Sequence, residues 1–266
     1  MQDYEYKTQP YDHQRTSFEE SWDAKFYALL MEMGTGKSKV AIDTMGALYE
    51  ADKIKAALII APKGVYDNWV KGEVPIHLPE RIPRHIMRWI PAKTQRFESE
   101  LKDFIVDREA KLKVFVMNIE AFSSARGTDA ATAFLYQNPD NMVIVDESTT
   151  IKNRKAARTR NIISLQSRAK YRRILTGSPI TKSPMDLFSQ CNFLAEKALG
   201  FNSYYAFQAR YANVQKRNMG HRSFQQIVGY RRLEELSEKL DRFSSRVLKI
   251  DCLDLPAKVY IRRDVS

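Results

Sequence analysis

The stretch Met31-Glu-Met-Gly-Thr-Gly-Lys-Ser-Lys39 restricts what this chain can fold into more than any other part of it. An apolar run, Phe26-Tyr-Ala-Leu-Leu30, precedes it, and the helix-compatible run Val40 to Tyr49 follows, so the order is strand, glycine turn, helix. Two glycines, Gly34 and Gly36, let the backbone approach an anion closely. Successive N–H groups then form a nest at the start of a helix, whose dipole adds partial positive charge. The expected ligand carries a chain of phosphates cradled by Gly34, Thr35 and Gly36. Lys37 is placed to reach its β- and γ-phosphates, and the Ser38 hydroxyl to ligate Mg2+. The longer phosphate-loop pattern has a glycine where this chain has Met31, so the match is to the shorter Gly-x-Gly-Lys-Ser form.

A second signal lies at Asn141-Met-Val-Ile-Val-Asp-Glu147, an apolar strand ending in two acids. Adjacent carboxylates at a strand tip face opposite ways, so Asp146 is assigned to magnesium and Glu147 to orienting the attacking water. Uncompensated acids are costly in a buried strand, so packing does not explain the pair. Further continuous apolar runs at Ala56–Ala61, Lys113–Asn118 and Tyr171–Thr176, with a shorter one at His85–Ile90, alternate with helix-compatible stretches at 65–70 and 94–108. Repeated strand and helix means an α/β chain: a parallel sheet with helices on both faces and ligands at the carboxyl ends of the strands. Ser183, Pro184 and Asp186 form a helix start, with Ser183 as N-cap. Residues 194–240 read as mostly helical, with aromatics spaced for burial, and 246–266 as extended. Tyr11 to Trp22 reads as a helix that brings Gln14 and an aromatic near the phosphate loop.

Charge is divided unevenly. Residues 1–150 carry 19 Lys/Arg and 23 Asp/Glu, whereas 151–266 carry 24 and 9, so the whole net charge of +11 comes from the second part. Between Ser148 and Met185 there are ten Lys/Arg and no acid. A polyanion, most simply nucleic acid, is the partner this implies; the competing explanations are an inert basic face or one that meets an acidic protein. The 266 residues include no apolar run long enough to span a membrane, and Met1-Gln-Asp-Tyr-Glu-Tyr-Lys7 is too polar for a signal peptide. An intracellular, cytoplasmic protein is expected, with no membrane partner. Cys191 and Cys252 read as buried free thiols, and the scattered His13, His77, His85 and His221 give no zinc spacing.

Taken in order, these motifs resemble the SWI/SNF-type double-stranded DNA translocases of helicase superfamily 2. Glu32–Ser38 resembles motif I, Ile60–Lys63 with Asn68-Trp69 motif Ia, Val143–Asn153 motif II with its trailing Lys-Asn, and Leu175–Ile180 motif III. Val116–Glu120 stands where the family has motif Ib, and Val228 to Lys258 is similar to the exit from the first motor lobe. The resemblance implies a RecA-like ATP-binding lobe over 1–245, with a helical C-terminal extension at about 195–245, then a linker at 246–266 to a second RecA-like lobe carrying the arginine finger. It implies that Gln14 reads adenine, that Thr176 and Ser178 couple the γ-phosphate to lobe closure, and that Lys63, Asn118, Lys152, Asn153 and Arg154 touch DNA. Ser148-Thr149 departs from the family's Ala-His. The expected activity is DNA-dependent ATP hydrolysis that drives movement along a duplex. The alternatives are a strand-separating DNA or RNA helicase and a nucleotide-dependent DNA-binding module with little hydrolysis. Short connections point to a bacterial or viral source, with a nuclear location if the chain is eukaryotic.

Overall fold

A computed structural model describes residues 4–107, 109, 111–219 and 222–252. Helix α1 (Asp12–Ser21) leads into β1 (Phe26–Met31), the phosphate loop and α2 (Lys37–Glu50). Strand β2 (Ala56–Ala61) is followed by a helical segment in which a π turn, Trp69–Glu73, separates α3 (Tyr66–Asn68) from α4 (Val74–His77). Then come β3 (Arg84–Arg88), α5 (Gln95–Val106), β4 (Leu112–Asn118), α6 (Ala125–Gln137) and β5 (Asn141–Asp146). After α7 (Ala157–Ser164), β6 (Tyr171–Leu175) and α8 (Leu187–Leu194), α9 (Tyr204–Tyr211) runs into the hairpin β7 (Ala212–Met219) and β8 (Arg222–Tyr230). The described chain closes with α10 (Leu233–Asp241), β9 (Ser244–Val247) and α11 (Lys249–Cys252).

Seven strands form one parallel sheet in the order β3-β4-β2-β5-β6-β1-β9. The expected parallel sheet with helices on both faces is therefore present. Strand periodicity divides the core. Leu58, Phe115, Val143 and Val145 pack with α5 to α8 on one face, and Ala57, Ile59, Val114, Met142 and Ile144 pack with α2, Trp69 and Phe18 on the other. Because both faces are buried, the central strands are continuous apolar runs instead of alternating ones. The same period puts Asp146 on the face of Met142 and Ile144, beneath α2 and Trp69.

Four expectations differ from the structure. The stretch expected to be mostly helical contains α9 and α10 but also the β7–β8 hairpin, in which Val214 pairs with Ile227 and Gln215 with Gln226. Strand β9 begins at Ser244 and pairs with β1 from Ala28 to Met31, so it belongs to the sheet and straddles the expected lobe–linker junction at 245/246. Residues 253–266 lie outside the described ones. Of the two thiols, Cys191 is buried and Cys252 is partly exposed. Among the tail aromatics, Phe207 and Tyr211 are fully buried, but Tyr205 is 67% exposed.

Arg173, on β6, is fully buried and ties the sheet to α1. Its guanidinium donates to the carbonyls of Ser21 at 2.6 Å and Ala24 at 2.9 Å, at and just beyond the end of that helix; Ser21 also accepts from the Ala24 N–H at 3.0 Å. Substituting Arg173→Met removes both bonds and leaves the Ala24 carbonyl without a donor, and is expected to cost about 2–4 kcal/mol in denaturant unfolding. An unchanged midpoint would show that α1 is held by its apolar face alone.

Candidate functional site

Gly34 and Gly36 have φ of +86° and +87°, the left-handed region that glycine enters without a Cβ penalty. Gly36 is the N-cap of α2 and no side chain caps that helix, so its first N–H groups are presented to an anion. Thr35 is buried, and its N–H and hydroxyl both donate to the Glu32 carbonyl, at 3.2 and 2.7 Å. The Thr35 carbonyl meets Gln14 Nε2 at 3.0 Å and His13 Nε2 at 2.8 Å. Gln14 also lies against Gly36, where a Cβ would fall 2.1 Å from Nε2, and its Oε1 accepts from the Tyr11 N–H at 3.1 Å. The amide thus braces the loop, and by valence it keeps one N–H and one lone pair for a ligand. Tyr11, 65% exposed, stacks on His13 beside it. His13 was not legible as a loop contact in the sequence, because nothing in its spacing separates it from a solvent-facing helix residue.

At the tip of β5, Asp146 is 6% exposed. Its Oδ2 accepts from the Trp69 indole at 2.9 Å and its Oδ1 from the Glu147 N–H at 2.9 Å. Burial pushes this carboxyl above its ordinary value, against the pull of the Trp69 hydrogen bond and the Lys37 charge. Glu147 adopts φ +46°, ψ +57°, held there by the Thr150 N–H and hydroxyl on its carbonyl at 2.9 and 2.8 Å. That turn aims its carboxylate at Lys37, Nζ to Oε1 3.4 Å. Half-buried Glu73 is a third acid nearby; burial raises its pKa and Asp146 adds to the rise. Among the described residues no three acids, histidines or cysteines form a metal cluster; the oxygen ligands at hand for a hard divalent cation beside the uncapped helix end are buried Asp146 and half-buried Ser38 on the first turn of α2. Trp69 is buried in the core, and it is also the donor that orients Asp146. It sits in the π turn, a feature frequent at functional sites.

The loop after β6 packs directly on the phosphate loop. A Cβ at Gly177 would approach the Met33 nitrogen at 3.0 Å. Thr176 is buried and its hydroxyl accepts from the Ser178 N–H at 3.2 Å, while Ser178 itself is exposed. Ser148, fully buried, donates to Gln190 Oε1 at 2.7 Å, and Gln190 Nε2 donates to the carbonyls of Pro179 at 2.8 Å and Asp186 at 2.9 Å. This relay links the turn after Glu147 to the loop carrying Thr176 and Ser178. Gln190 carried no sequence signal beyond its place on a helix.

The basic residues divide. Lys63 and Asn153 are exposed, and Lys152 and Arg154 half-buried, all at the carboxyl end of the sheet. Lys152 bonds the Thr181 hydroxyl, the Asn153 side chain accepts from the Lys155 N–H at 3.0 Å, and Arg154 lies 4.3 Å over the Tyr204 ring. Asn118 is only 5% exposed, its amide donating to Glu120 at 2.9 Å, so it is not presented to a phosphate here. Nor is the whole basic run a surface: Arg173 is buried, Arg172 bonds the carbonyls of Leu194, Gln166 and Ala169, and Lys170 pairs with Asp140. Left-handed backbone at a non-glycine residue is strained by about 1–2 kcal/mol. Glu147→Gly is therefore expected to be about 1 kcal/mol more stable than Glu147→Ala in denaturant unfolding. Equal stabilities would mean the turn is not held this way in solution.

Residues 26–265 match the SNF2-related domain family. The bovine protein named "DNA annealing helicase and endonuclease ZRANB3" is 33% identical over 86% of this chain, which spans 20% of that protein. The Arabidopsis thaliana "Protein CHROMATIN REMODELING 24" is 23% identical over 91% of the chain and 22% of its own length. Among solved structures, the Sulfolobus solfataricus SWI2/SNF2 ATPase core in complex with double-stranded DNA matches with a TM-score of 0.68 at 20% identity, covering 96% of this chain and 48% of that one. The chain thus spans about a fifth of these curated relatives and about half of the solved core. Its RecA-like sheet, its loop–helix phosphate cradle and the family match over nine-tenths of its length make it a SNF2-related domain, the first lobe of an SWI/SNF-type superfamily 2 ATPase core.

Proposed function

We propose that this chain is the nucleotide-binding lobe of an ATP-driven motor that moves along double-stranded DNA. The observation that carries the reading is the convergence of Lys37, Asp146 and Glu147 at the uncapped start of α2, with Lys37 and Glu147 3.4 Å apart. Gly34, Thr35, Gly36, Lys37 and Ser38 hold the triphosphate. Ser38 and Asp146 hold Mg2+, which, when bound, neutralises charge on the phosphates and fixes their orientation. Trp69 keeps Asp146 pointed at that position. Glu147 releases Lys37 to the phosphates and orients the attacking water. The free N–H and lone pair of Gln14 match the adenine edge, beside the exposed Tyr11 ring.

Thr176 and Ser178 sense the γ-phosphate end of the site, and the Ser148–Gln190 relay passes that state between the loops after β5 and β6. Ser148 thereby takes the coupling role that the family's Ala-His segment has elsewhere. Lys63, Lys152, Asn153 and Arg154 line one margin of the same sheet edge and contact phosphates without reading sequence; Asn118 joins them only if Glu120 lets it go. Duplex DNA as the substrate class is supported by the excess basic charge and by the solved relative's complex with double-stranded DNA. A second RecA-like lobe, in the same protein or another chain, closes on this one and supplies the arginine finger.

The test is ATP turnover by this chain and by a longer protein with a second lobe, each with and without duplex DNA. Strong stimulation by duplex in the longer protein, removed by Glu147→Gln, is the expected result; hydrolysis in neither, with DNA still bound, would leave a nucleotide-dependent binding module. Ser148→Ala is expected to lower duplex-stimulated turnover about tenfold, about 1.4 kcal/mol in the barrier, with a smaller change in ATP affinity. Equal loss in both would make the relay a structural support only.

A further inference from the structure

The β7–β8 hairpin is not used by the motor site. It is an antiparallel two-stranded ribbon whose strands span Ala212–Met219 and Arg222–Tyr230. Strands of eight and nine residues make it about 26–30 Å long at about 3.3 Å per residue. Such ribbons ordinarily bury one face, and an isolated one is marginally stable in water. Here Asn213, Val214, Gln215, Lys216 and Arg217 of β7 are exposed, as are Ser223, Gln225, Gln226, Val228 and Tyr230 of β8. Among the described side chains only Ala212 and Ile227, both near the base, pack on the core.

The base, by contrast, is braced. Arg231 donates to the carbonyls of Ala209 at 2.6 Å and Arg210 at 3.2 Å, and the Tyr211 hydroxyl donates to Glu235 at 3.0 Å, which also pairs with Arg210. A ribbon held firmly at one end, with most of its described side chains beyond the base exposed on both faces, has the form of an element that meets something outside the chain.

Charge says what it meets. From Lys197 to Leu233 the sequence holds seven Lys/Arg and no Asp or Glu. Lys216 lies opposite Gln225 and Arg217 opposite Phe224, so neighbouring cations leave the ribbon from opposite faces. The root of the ribbon is also continuous with the proposed DNA margin. Arg154 stacks over Tyr204 and Tyr205 at 4.3 and 5.1 Å and donates to the Tyr205 hydroxyl at 3.3 Å. Tyr205 in turn lines one cleft with Asn213, Gln215, Lys216 and Arg231.

We propose that this ribbon is a second DNA-binding element, inserted edge-on into the major groove of the duplex, with Lys216 and Arg217 on phosphates of the two opposite strands. The proposal rests on duplex DNA being the motor's substrate and extends the contact beyond the motor margin. A ribbon with side chains on both faces is about 10 Å thick, the spacing at which sheets stack, and the major groove is about 12 Å wide. The exposed Asn213, Gln215, Gln225 and Gln226 are neutral and polar, which suits a surface that slides along DNA more than one that locks on to a sequence.

The test is binding of a fluorescein-labelled duplex of about 30 base pairs, by anisotropy over a range of salt, for the chain and for Lys216→Gln/Arg217→Gln. Both side chains are exposed, so an unchanged melting temperature serves as the fold control. Each lost phosphate contact lowers the salt slope by about 0.9, so the double variant is expected to lose about 2 in slope and to bind several-fold more weakly in low salt. A single strand of the same length is expected to show no such difference. Unchanged affinity and slope on the duplex, with the parent chain binding well, overturns the ribbon's role and turns its bare faces towards a protein partner. A loss seen on the single strand and not on the duplex overturns it equally. If the parent chain binds no DNA, the motor reading itself fails, an outcome the parent measurement alone detects.

Discussion

A carboxylate at the end of a strand buried on both faces is expensive to keep ionised, and the site is arranged around managing that cost. Asp146 is 6% exposed, yet both its oxygens accept charge-assisted hydrogen bonds, one from Trp69 and one from its neighbour's N–H. Lys37 stands close enough to favour its charged form. The left-handed turn at Glu147 frees that N–H to fold back and swings the second carboxylate to Lys37. Each neighbour therefore offsets the cost of a buried carboxylate and, on the proposed reading, keeps it positioned for a cation and a phosphate.

The same economy ties separate elements to the phosphate loop. Gln14 and His13 reach it from α1, which Arg173 pins to the sheet, and Gly177 brings the loop after β6 into backbone contact with it. Glu32, at the start of the loop, accepts from the Lys249 N–H at 2.7 Å, just past β9. The chain's last described strand is in this way attached to both the sheet edge and the nucleotide cradle. If a phosphate binds this loop as proposed, a change there has short mechanical routes to α1, to the β6 loop and to the segment after β9.

Much of this was legible in the sequence because its signals are local. Continuous apolar runs marked β1, β2, β4, β5 and β6, and the Gly-Thr-Gly-Lys-Ser turn and the Asp146-Glu147 pair stand out by residue type at fixed spacing. Ser183 also caps its helix as read, its hydroxyl accepting from the Met185 N–H at 3.2 Å. What escaped depends on contacts distant in sequence. Ser244-Ser-Arg-Val247 has no apolar run and becomes a strand only because β1 offers it an edge. Beyond its base the described side chains of the hairpin are mostly exposed, so it carries neither alternation nor a continuous apolar run. Trp69, His13 and Gln190 looked like ordinary helix residues, since their partners, Asp146, Thr35 and Ser148, lie 22 to 77 positions away. Asn118 was placed by motif position alone, and its burial shows how little such a placement says about exposure.

The account stands on Lys37 and Glu147 being a resting pair that nucleotide separates. A crystal structure of the chain with Mg2+ and a non-hydrolysable ATP analogue tests this most directly. The account requires the triphosphate on the N–H groups at the start of α2, with Lys37 moved from Glu147 to the phosphates and Asp146, still held by Trp69, facing the metal. An analogue bound elsewhere, or Lys37 still paired with Glu147 in the loaded site, would contradict it.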